Sequence, residues 1–452
     1  MNNSTDIIIV GAGPSGTAAA MISAQAGKRV VLIERGDFSG CKNMFGGAIY
    51  TAPTKEIYPE FWKTAPVERG IIRHSYALLG EHDGTTISYD KQSSGESYEA
   101  YSVTRAKWDR WCAQKAEEAG AVLVKETLVK EILKDGNRVI GVKTDTGEEF
   151  LSKIVIIADG VNSILAKQLG FRKDIKPENV ALSIKEVLSL PENVIEERFN
   201  LSNKTGCTYT IIGGPMTGIT GMGFLYTGTN TVSIGVGVSL DDLQKNFLKP
   251  YDLLNELKKH PILSPLIKDS TLKEYSAHLI PEGGFKTIPK LYGHGVMITG
   301  DAAMLVNNVH WEGTNLAMFS GKYAAETAIE ALEKNDFSEN TLALYEKKLK
   351  NSFILKDMKT YEDVVPTIEK NAGAFLGYYP QKVNEFMDMF TTVDGVAKKA
   401  KYTDFISSVF KEKPLPSLIK DGIKGIKLAA AVVVKSAKNN QYQKISTKNY
   451  QR

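Results

Sequence analysis

The chain opens on an apolar run of strand length, Asp6-Ile7-Ile8-Ile9-Val10, and the alanine-rich stretch from Thr17 to Ala26 that follows has helical character. A second apolar run, Arg29 to Ile33, returns as a strand and ends on Glu34. Ala65 to Tyr101 reads as short strands, with reversals at Gly84-Thr85 and at Ser93-Ser94-Gly95. Trp108, Trp111, Cys112 and Ala116 then recur at helical spacing and predict a helix over Ala106 to Ala119. Ala121 to Val124, Thr127 to Leu133 and Val139 to Thr144 read as strands, the last two joined by a hairpin at Asp135-Gly136. Lys153 to Ala158 is apolar at nearly every position, as in a parallel strand buried on both faces, and it ends on Asp159-Gly160.

Val180 to Ile288 is a long block of strands and glycines, among them Ile184 to Val187, Gly223 to Thr227, Val232 to Val238 and His278 to Gly284. It predicts an antiparallel sheet forming a second domain. Within it, Gly213 to Met222 combines glycines with apolar residues, a pattern open between a membrane-dipping or partner loop and a flexible crossover. Gly295 to Thr299 is again a strand, running into Gly300-Asp301, and a helix follows from Glu312 to Ala331.

Between the first strand and the first helix lies Gly11-Ala12-Gly13-Pro14-Ser15-Gly16, a filled G-x-G-x-x-G. Gly11 permits the tight turn, Gly13 lets a pyrophosphate approach the backbone, and Gly16 lets helix and sheet pack closely. N–H groups at the helix start face the phosphates, where the helix dipole favours negative charge. Glu34, eighteen residues after Gly16, is placed to accept hydrogen bonds from a ribose. Strand, turn, helix, second strand and terminal acid together predict a dinucleotide-binding unit. The polar end of the strand at Asp159-Gly160 belongs at the same sheet edge, and Asp301 is a second acid able to hold a cofactor's hydroxyls.

Other segments stay open on their residues alone. Phe38 to Gly47 is a glycine-punctuated loop whose Gly46-Gly47 suits close approach to something flat, or is an ordinary surface loop. Arg105, at a helix entrance, is a candidate for a pyrophosphate or ribose contact and equally for a solvated position.

Composition narrows the class. At 452 residues, 42% apolar and 24% charged, the chain is a globular protein able to bury a large core. No signal peptide precedes Asp6, and no apolar stretch reaches the roughly 20 residues of a spanning helix. The expected location is cytoplasmic, or peripheral on the cytoplasmic face of a membrane. The three cysteines, Cys41, Cys112 and Cys207, are too few for a [4Fe–4S] cluster, and the histidines show no ligand spacing, so no metal is expected.

Charge is uneven: Lys398 to Arg452 holds 13 Lys and Arg against 3 Asp and Glu, a balance of +10 within a chain of net +4. The body is therefore acidic and the tail basic, which suggests an acidic partner or an anionic lipid surface rather than nucleic acid, with a solvated terminus the preferred reading for the final dozen residues. Pro414 to Ser417 marks a boundary, with Ser417 the expected N-cap of a helix over Leu418 to Lys435. Ile419, Ile423, Ile426, Ala430 and Val433 fall on one face of it, flanked by Lys420, Lys424 and Lys427. Membrane contact and docking on protein are both compatible with that face.

Taken together these segments resemble the FAD-binding glutathione-reductase-2 fold, and within it the FixC and electron-transfer-flavoprotein:quinone oxidoreductase family. The resemblance runs from Asp6 to about Phe410 and rests on GAGPSG with Glu34, KNMFGG at Lys42 to Gly47 and RAKWDRW at Arg105 to Trp111. ADGVNS at Ala158 to Ser163, IKEVLSLP at Ile184 to Pro191 and GFLYT at Gly223 to Thr227 add to it. The most specific stretches are HLIPEGG at His278 to Gly284 and GDAAMLVNNVHWEGTNLAMFSG at Gly300 to Gly321.

The resemblance implies an α/β protein in four parts. A Rossmann-type FAD-binding domain is assembled from residues 1–65, 102–165 and 290–335. An inserted antiparallel-sheet quinone or substrate domain takes 66–101 and 166–289, a helical C-terminal region 336–413, and a basic amphipathic tail 414–452. FAD would be held at its ADP half by Gly11, Gly13, Ser15, Gly16, Glu34 and Arg35, with Arg105 near the pyrophosphate. Asp301 would bind the ribityl chain or phosphates, and Gly46, Gly47, Gly313, Thr314 and Asn315 would surround the ring. Tyr226 is similar to the family's tyrosine beside the quinone.

The activity implied is electron transfer from an electron-transfer flavoprotein to a membrane quinone. The missing cysteines place the iron–sulfur cluster in a separate FixX-like ferredoxin subunit. Rival readings are a geranylgeranyl-type isoprenoid reductase or aromatic hydroxylase using NAD(P)H, and a non-catalytic FAD-containing docking subunit.

Overall fold

A computed structural model describes residues 5–42, 47–93 and 95–446. Among the described residues the chain forms one sheet of eight strands and one of nine. In the first, the parallel strands Val122–Val124, Val30–Ile33, Thr5–Val10, Glu149–Ile157 and Val296–Ile298 lie side by side in that order. Their apolar runs are buried on both faces, with Ile7, Ile8, Ile9, Ile154, Val155, Ile156 and Ile157 all fully enclosed. The predicted hairpin at Asp135-Gly136 joins Val129–Asp135 to Arg138–Thr144 and flanks the long strand Glu149–Ile157.

The helix Pro14–Gln25 packs on one face of this sheet against the helix Thr314–Lys334. Two glycines allow close packing here, Gly16 against the turn and first strand and Gly321 against the first helix. A Cβ at Gly16 would lie 1.9 Å from the Gly11 carbonyl oxygen, and one at Gly321 would lie 2.1 Å from that of Ser15. The helix Arg105–Glu118 packs beside them, with Trp108 fully buried against the rings of Tyr58, Phe61 and Trp111.

The second sheet runs in the order Thr271–Pro281, Val180–Ser189, Thr231–Ser239, Gly221–Thr227, Thr205–Gly213, Val67–Leu79, Ala100–Val103, Gly47–Tyr50. It departs from the antiparallel expectation at one join, where Thr205–Gly213 pairs in parallel with Val67–Leu79. The two strands are separated by a crossover through the first domain, long enough to bring the chain back in the same direction. Gly47–Tyr50 and Ala100–Val103 pair with each other in this sheet, so segments placed at the edges of the FAD-binding stretches carry strands of the other layer. The helix Pro250–Lys259 closes the far face with Leu253, Leu254 and Leu257. The reversal expected at Gly84-Thr85 sits at Gly80 to Asp83, where the Gly80 N–H donates to the Asp83 carbonyl at 3.0 Å.

Beyond Asp336 the chain is helical to Ser446, including one π-helical segment, Gly373–Tyr378. This segment corrects the expectation of an exposed Gly213–Met222 loop. The Gly218 N–H donates to the Leu376 carbonyl at 3.1 Å, a Cβ on Gly377 would meet the Gly218 backbone at 3.2 Å, and Met216 is buried. The loop's glycines serve backbone-to-backbone docking.

The last helix, Leu415–Ser446, begins before Ser417, which therefore is not its N-cap. Pro416 falls in the first turn, where a missing N–H costs nothing, and the Ser417 and Leu418 N–H groups donate to the Pro414 carbonyl. The buried Asp421 carboxylate accepts from the Tyr379 hydroxyl at 3.1 Å and pairs with Lys413 and Lys424. Lys424, expected to flank the apolar face, instead reaches inward to Asn371.

Candidate FAD and acceptor site

Between the two sheets lies a cavity of about 300 Å³. One wall is the carboxyl edge of the parallel sheet, where open α/β sheets bind their ligands. It comprises the glycine turn, Glu34 and Arg35, the segment Ala158 to Ser163, and Thr299 to Asp301. The other wall is one face of the second sheet, with Thr210, Met222, Phe224, Tyr226, His278 and Ile280.

The turn is built as its spacing predicts. Gly11 has φ of 102°, and a Cβ there would stand 2.3 Å from the Ala158 carbonyl oxygen on the neighbouring strand. Pro14 opens the helix, and the N–H groups of its first turn have no intrahelical acceptors. The Ser15 hydroxyl is committed to Thr299, 2.6 Å away, which ties the helix start to the strand Val296–Ile298. Gly16 does not line the cavity; it provides the close packing beneath it. The Glu34 carboxylate accepts from the Ala12 N–H at 2.9 Å and from the Gly36 N–H at 2.8 Å, so it stands fixed at the end of its strand, facing the cavity.

Arg105, first residue of its helix, lies on the cavity wall and is 8% exposed. Its Nε and Nη2 each donate to the buried Asp109 at 2.8 Å. This pairing orients the guanidinium, and Asp109 was missed because a carboxylate four residues along a helix reads as a surface pair. Arg35 and Arg105 face the same space. Burial, then these two charges, hold His278 below its usual range, so its imidazole is neutral. Burial raises the Asp301 carboxyl against the opposing pull of Arg105.

At the opposite end, Gly313 and Thr314 bring the start of the helix Thr314–Lys334 to the cavity, and Asn315 lines a small adjoining pocket with Tyr50 and Trp311. The Asn315 amide donates to Glu312 at 3.2 Å. Gly47 pairs with Val103 in the second sheet and is not on the cavity wall, and Gly46 lies outside the described residues. Tyr226 is on the wall, stacked at a tilt against Phe224, and burial followed by the Tyr50 phenol pushes its own phenol far above the usual range.

Several polar atoms await a ligand. Both amide atoms of Asn308, on the cavity wall, are buried with no hydrogen-bond partner among the described residues, as is Oδ1 of Asp159. Burial pushes Asp159 up to about 6. Paired arginines for a diphosphate, fixed acids for hydroxyls and two helix N-termini for anionic groups fit an elongated cofactor with two phosphates and a ring that takes up negative charge.

A family model of FAD dependent oxidoreductases matches residues 6–167, and one described as the ETF-QO/FixC family C-terminal domain matches residues 365–429. Protein FixC of Bradyrhizobium diazoefficiens is 40% identical over 92% of this chain and 97% of its own length. Protein FixC of Escherichia coli strain K12 is 40% identical over 93% of this chain and 98% of its own. The chain belongs to the FixC family.

The FixC family assignment carries FAD as cofactor and oxidoreductase as class. Among solved structures, a geranylgeranyl bacteriochlorophyll reductase-like protein from Thermoplasma acidophilum superposes with a TM-score of 0.71 at 21% identity, covering 90% of this chain and 98% of that one. The flavin-dependent brominase Bmp2 gives 0.61 at 18% identity, over 91% and 100%. At these identities the likeness is one of fold. FAD supplies an exchange of electrons singly or in pairs. The residues lining the cavity would hold it, with Arg35 and Arg105 suited to the diphosphate, Glu34 and Asp301 to hydroxyls, and the helix start at Gly313 and Thr314 to the ring.

Arg105→Lys keeps the charge but loses the fork held by Asp109. We expect FAD to bind about 10- to 100-fold more weakly, the equivalent of one or two charge-assisted hydrogen bonds. Fluorescence titration of flavin into apoprotein measures this.

Proposed function

We propose that this FixC-family protein takes electrons from an electron-transfer flavoprotein and delivers them to a membrane quinone, with a FixX-like ferredoxin subunit supplying the iron–sulfur cluster. The observation that carries this reading is an apolar face on the C-terminal helices, within the segment that matches the ETF-QO/FixC C-terminal domain. Phe386 and Phe390 on Tyr379–Thr391, Ile406 and Phe410 on Lys398–Glu412, and Leu415, Ile419, Ile423 and Ile426 on the last helix are all exposed. Val393, in the connection between the first two, is 90% exposed. A monomer rarely presents so many large apolar side chains on one region without a partner for them.

Exposed Lys399, Lys411, Lys420 and Lys427 lie among these residues, the charge pattern of helices resting in an anionic lipid interface. No helix among the described residues is long and apolar enough to cross a membrane, which agrees with a surface attachment. Asp421 and Lys424 anchor the inner side of the last helix to the protein while its isoleucines face out. The cavity wall of Thr210, Phe224 and Tyr226 offers a planar acceptor an aromatic and apolar bed.

Mixing the purified protein with reduced electron-transfer flavoprotein and a soluble quinone analogue should give quinol. Reduction of the bound FAD by NADPH and never by the flavoprotein would overturn this reading in favour of an isoprenoid reductase or hydroxylase. FAD that never turns over would favour a docking subunit. In parallel, the protein should float with vesicles containing anionic lipid, and an Ile419→Glu/Ile423→Glu variant should lose most of that binding; equal flotation of the two would remove the membrane surface from this face.

A further inference from the structure

The cavity wall of the second sheet does not stop at Ile280. Residues 278, 280 and 282 share one side of the extended chain, and all three line the cavity. Glu282 follows the strand Thr271–Pro281, and its N–H donates to the Asn179 carbonyl at 2.8 Å, which fixes the backbone as the side chain turns inward. The residue is half-buried on the cavity wall, and its carboxyl meets no hydrogen-bond donor among the described residues.

Within electrostatic reach of it is another carboxyl, that of Glu369 at the end of the helix Val364–Glu369. Around Glu369 stand Asp242 and Asp241 of the helix Leu240–Lys245, the exposed Glu178 of the turn Pro177–Asn179, and Lys370. Glu178, Glu369 and Glu282 are thus acids each within electrostatic reach of the next, the first exposed at the surface and the last on the cavity wall. Burial, then the Glu369 charge, pushes Glu282 up to about 8. Burial, then Asp242, Asp241 and Glu178, pushes Glu369 up to about 7, with Lys370 opposing. The other titratable groups on the sheet wall are poor donors near neutral pH, since His278 is neutral and the Tyr226 phenol holds its proton tightly.

We propose that Glu282 delivers to the bound acceptor the proton that quinone reduction draws from the protein, and that Glu369 reloads it from the acidic surface. This rests on the quinone reading above. Conversion of a quinone to a quinol takes two electrons and two protons. Reduced FAD, when bound, would supply both electrons and one of the protons, which leaves one proton for the protein to provide. The Glu282 O–H bond breaks as a quinol O–H bond forms; the resulting carboxylate takes a proton from Glu369, which takes one from water. A donor must be protonated at the working pH and lose its proton readily, and a carboxyl titrating near 8 meets both needs.

Two measurements on the full-length FAD-loaded protein test this. In infrared titration, the wild type should show a protonated-carboxyl band at neutral pH that is lost as pH rises through about 8 and is absent from Glu282→Gln. A band unchanged in that variant would overturn the assignment. In stopped flow, Glu282→Gln with full flavin occupancy should be reoxidised by a quinone analogue roughly 100-fold more slowly, the scale of lost general-acid help. Reoxidation by ferricyanide, which takes electrons without protons, should keep its wild-type rate, and Glu282→Asp should recover part of the quinone rate. Equal quinone rates in wild type and Glu282→Gln would sink the proton assignment alone. A wild type that reduces ferricyanide but no quinone would sink the quinone reading itself.

Discussion

Gly11→Ala should yield a folded protein that has lost its flavin. The left-handed φ of 102° strains any side chain, at about 1–3 kcal/mol. The larger effect is steric: the new Cβ would stand 2.3 Å from the Ala158 carbonyl oxygen, in the backbone of the sheet's central pair of strands. Relief requires the turn to move away from Ala158, and the same turn presents the N–H groups meant for the pyrophosphate. A loss of a few kcal/mol at that contact corresponds to FAD affinity lower by roughly 100-fold or more. Gly120 supplies a control, with φ of 105° and nothing within 4 Å of an added methyl. Gly120→Ala should keep its flavin and cost about 1 kcal/mol. Flavin-to-protein absorbance ratios after purification separate the two, and equal occupancy would show that the clash at Ala158 is relieved without disturbing the turn.

The second large effect is expected at Arg69, whose side chain is wholly buried between the sheet and its surroundings. Nε donates to the Gly228 carbonyl at 2.6 Å, Nη1 to Thr205 at 3.0 Å and to Glu196 at 3.1 Å, and Nη2 to Thr229 at 3.1 Å. The neighbouring Glu68 accepts from the Thr229 N–H at 2.9 Å, so the 228–229 turn is held by two adjacent residues of opposite charge. Arg69→Ala strands the carbonyls of Gly228, Thr205 and Thr229 and leaves Glu196 with only the Lys204 N–H, a loss of about 3–5 kcal/mol. Arg69→Lys, with no planar fork, should recover only part of it. This turn begins two residues after Tyr226, so under the proposed quinone reading the variants should also weaken quinone-analogue binding while leaving FAD in place. Denaturant unfolding and ligand titration read the two effects, and an unchanged midpoint for Arg69→Ala would mean that water replaces the fork.

These two residues also mark how far the sequence could be read. Gly11 was legible because its constraint is local: a strand, a turn and a helix leave a fixed spacing of glycines ending at Glu34. The same holds for Asp301 and for the helix start at Gly313 and Thr314, each at the end of an apolar strand or the beginning of a helix. Arg69 was not singled out, since its partners lie some 130 to 160 positions away and leave no periodic trace beside it. The parallel join between Val67–Leu79 and Thr205–Gly213 was hidden for the same reason. Asp109 was disguised as an ordinary helical neighbour of Arg105. Gly213 to Met222 looked exposed because the segment that covers it, Gly373–Tyr378, comes far later in the chain. At Ser417 the residue type suggested a cap, but Pro416 is tolerated in a first turn and the helix begins sooner. Glu282 lay within a recognisable motif, yet only its removal from water on the cavity wall, with the Glu369 charge added, shows why its chemistry is unusual.

The discontinuity of the first sheet has a consequence for how the protein is made. The strand Val296–Ile298 and the helix Thr314–Lys334 complete a layer whose other parts are finished by Ile157. On a ribosome, the glycine turn therefore emerges early but waits, with one side of its sheet open, until residue 334 of 452 has cleared the exit tunnel. A nascent chain released before that point should therefore fail to retain FAD, since the strand Val296–Ile298 and the helix Thr314–Lys334 would be missing from the cavity's first wall.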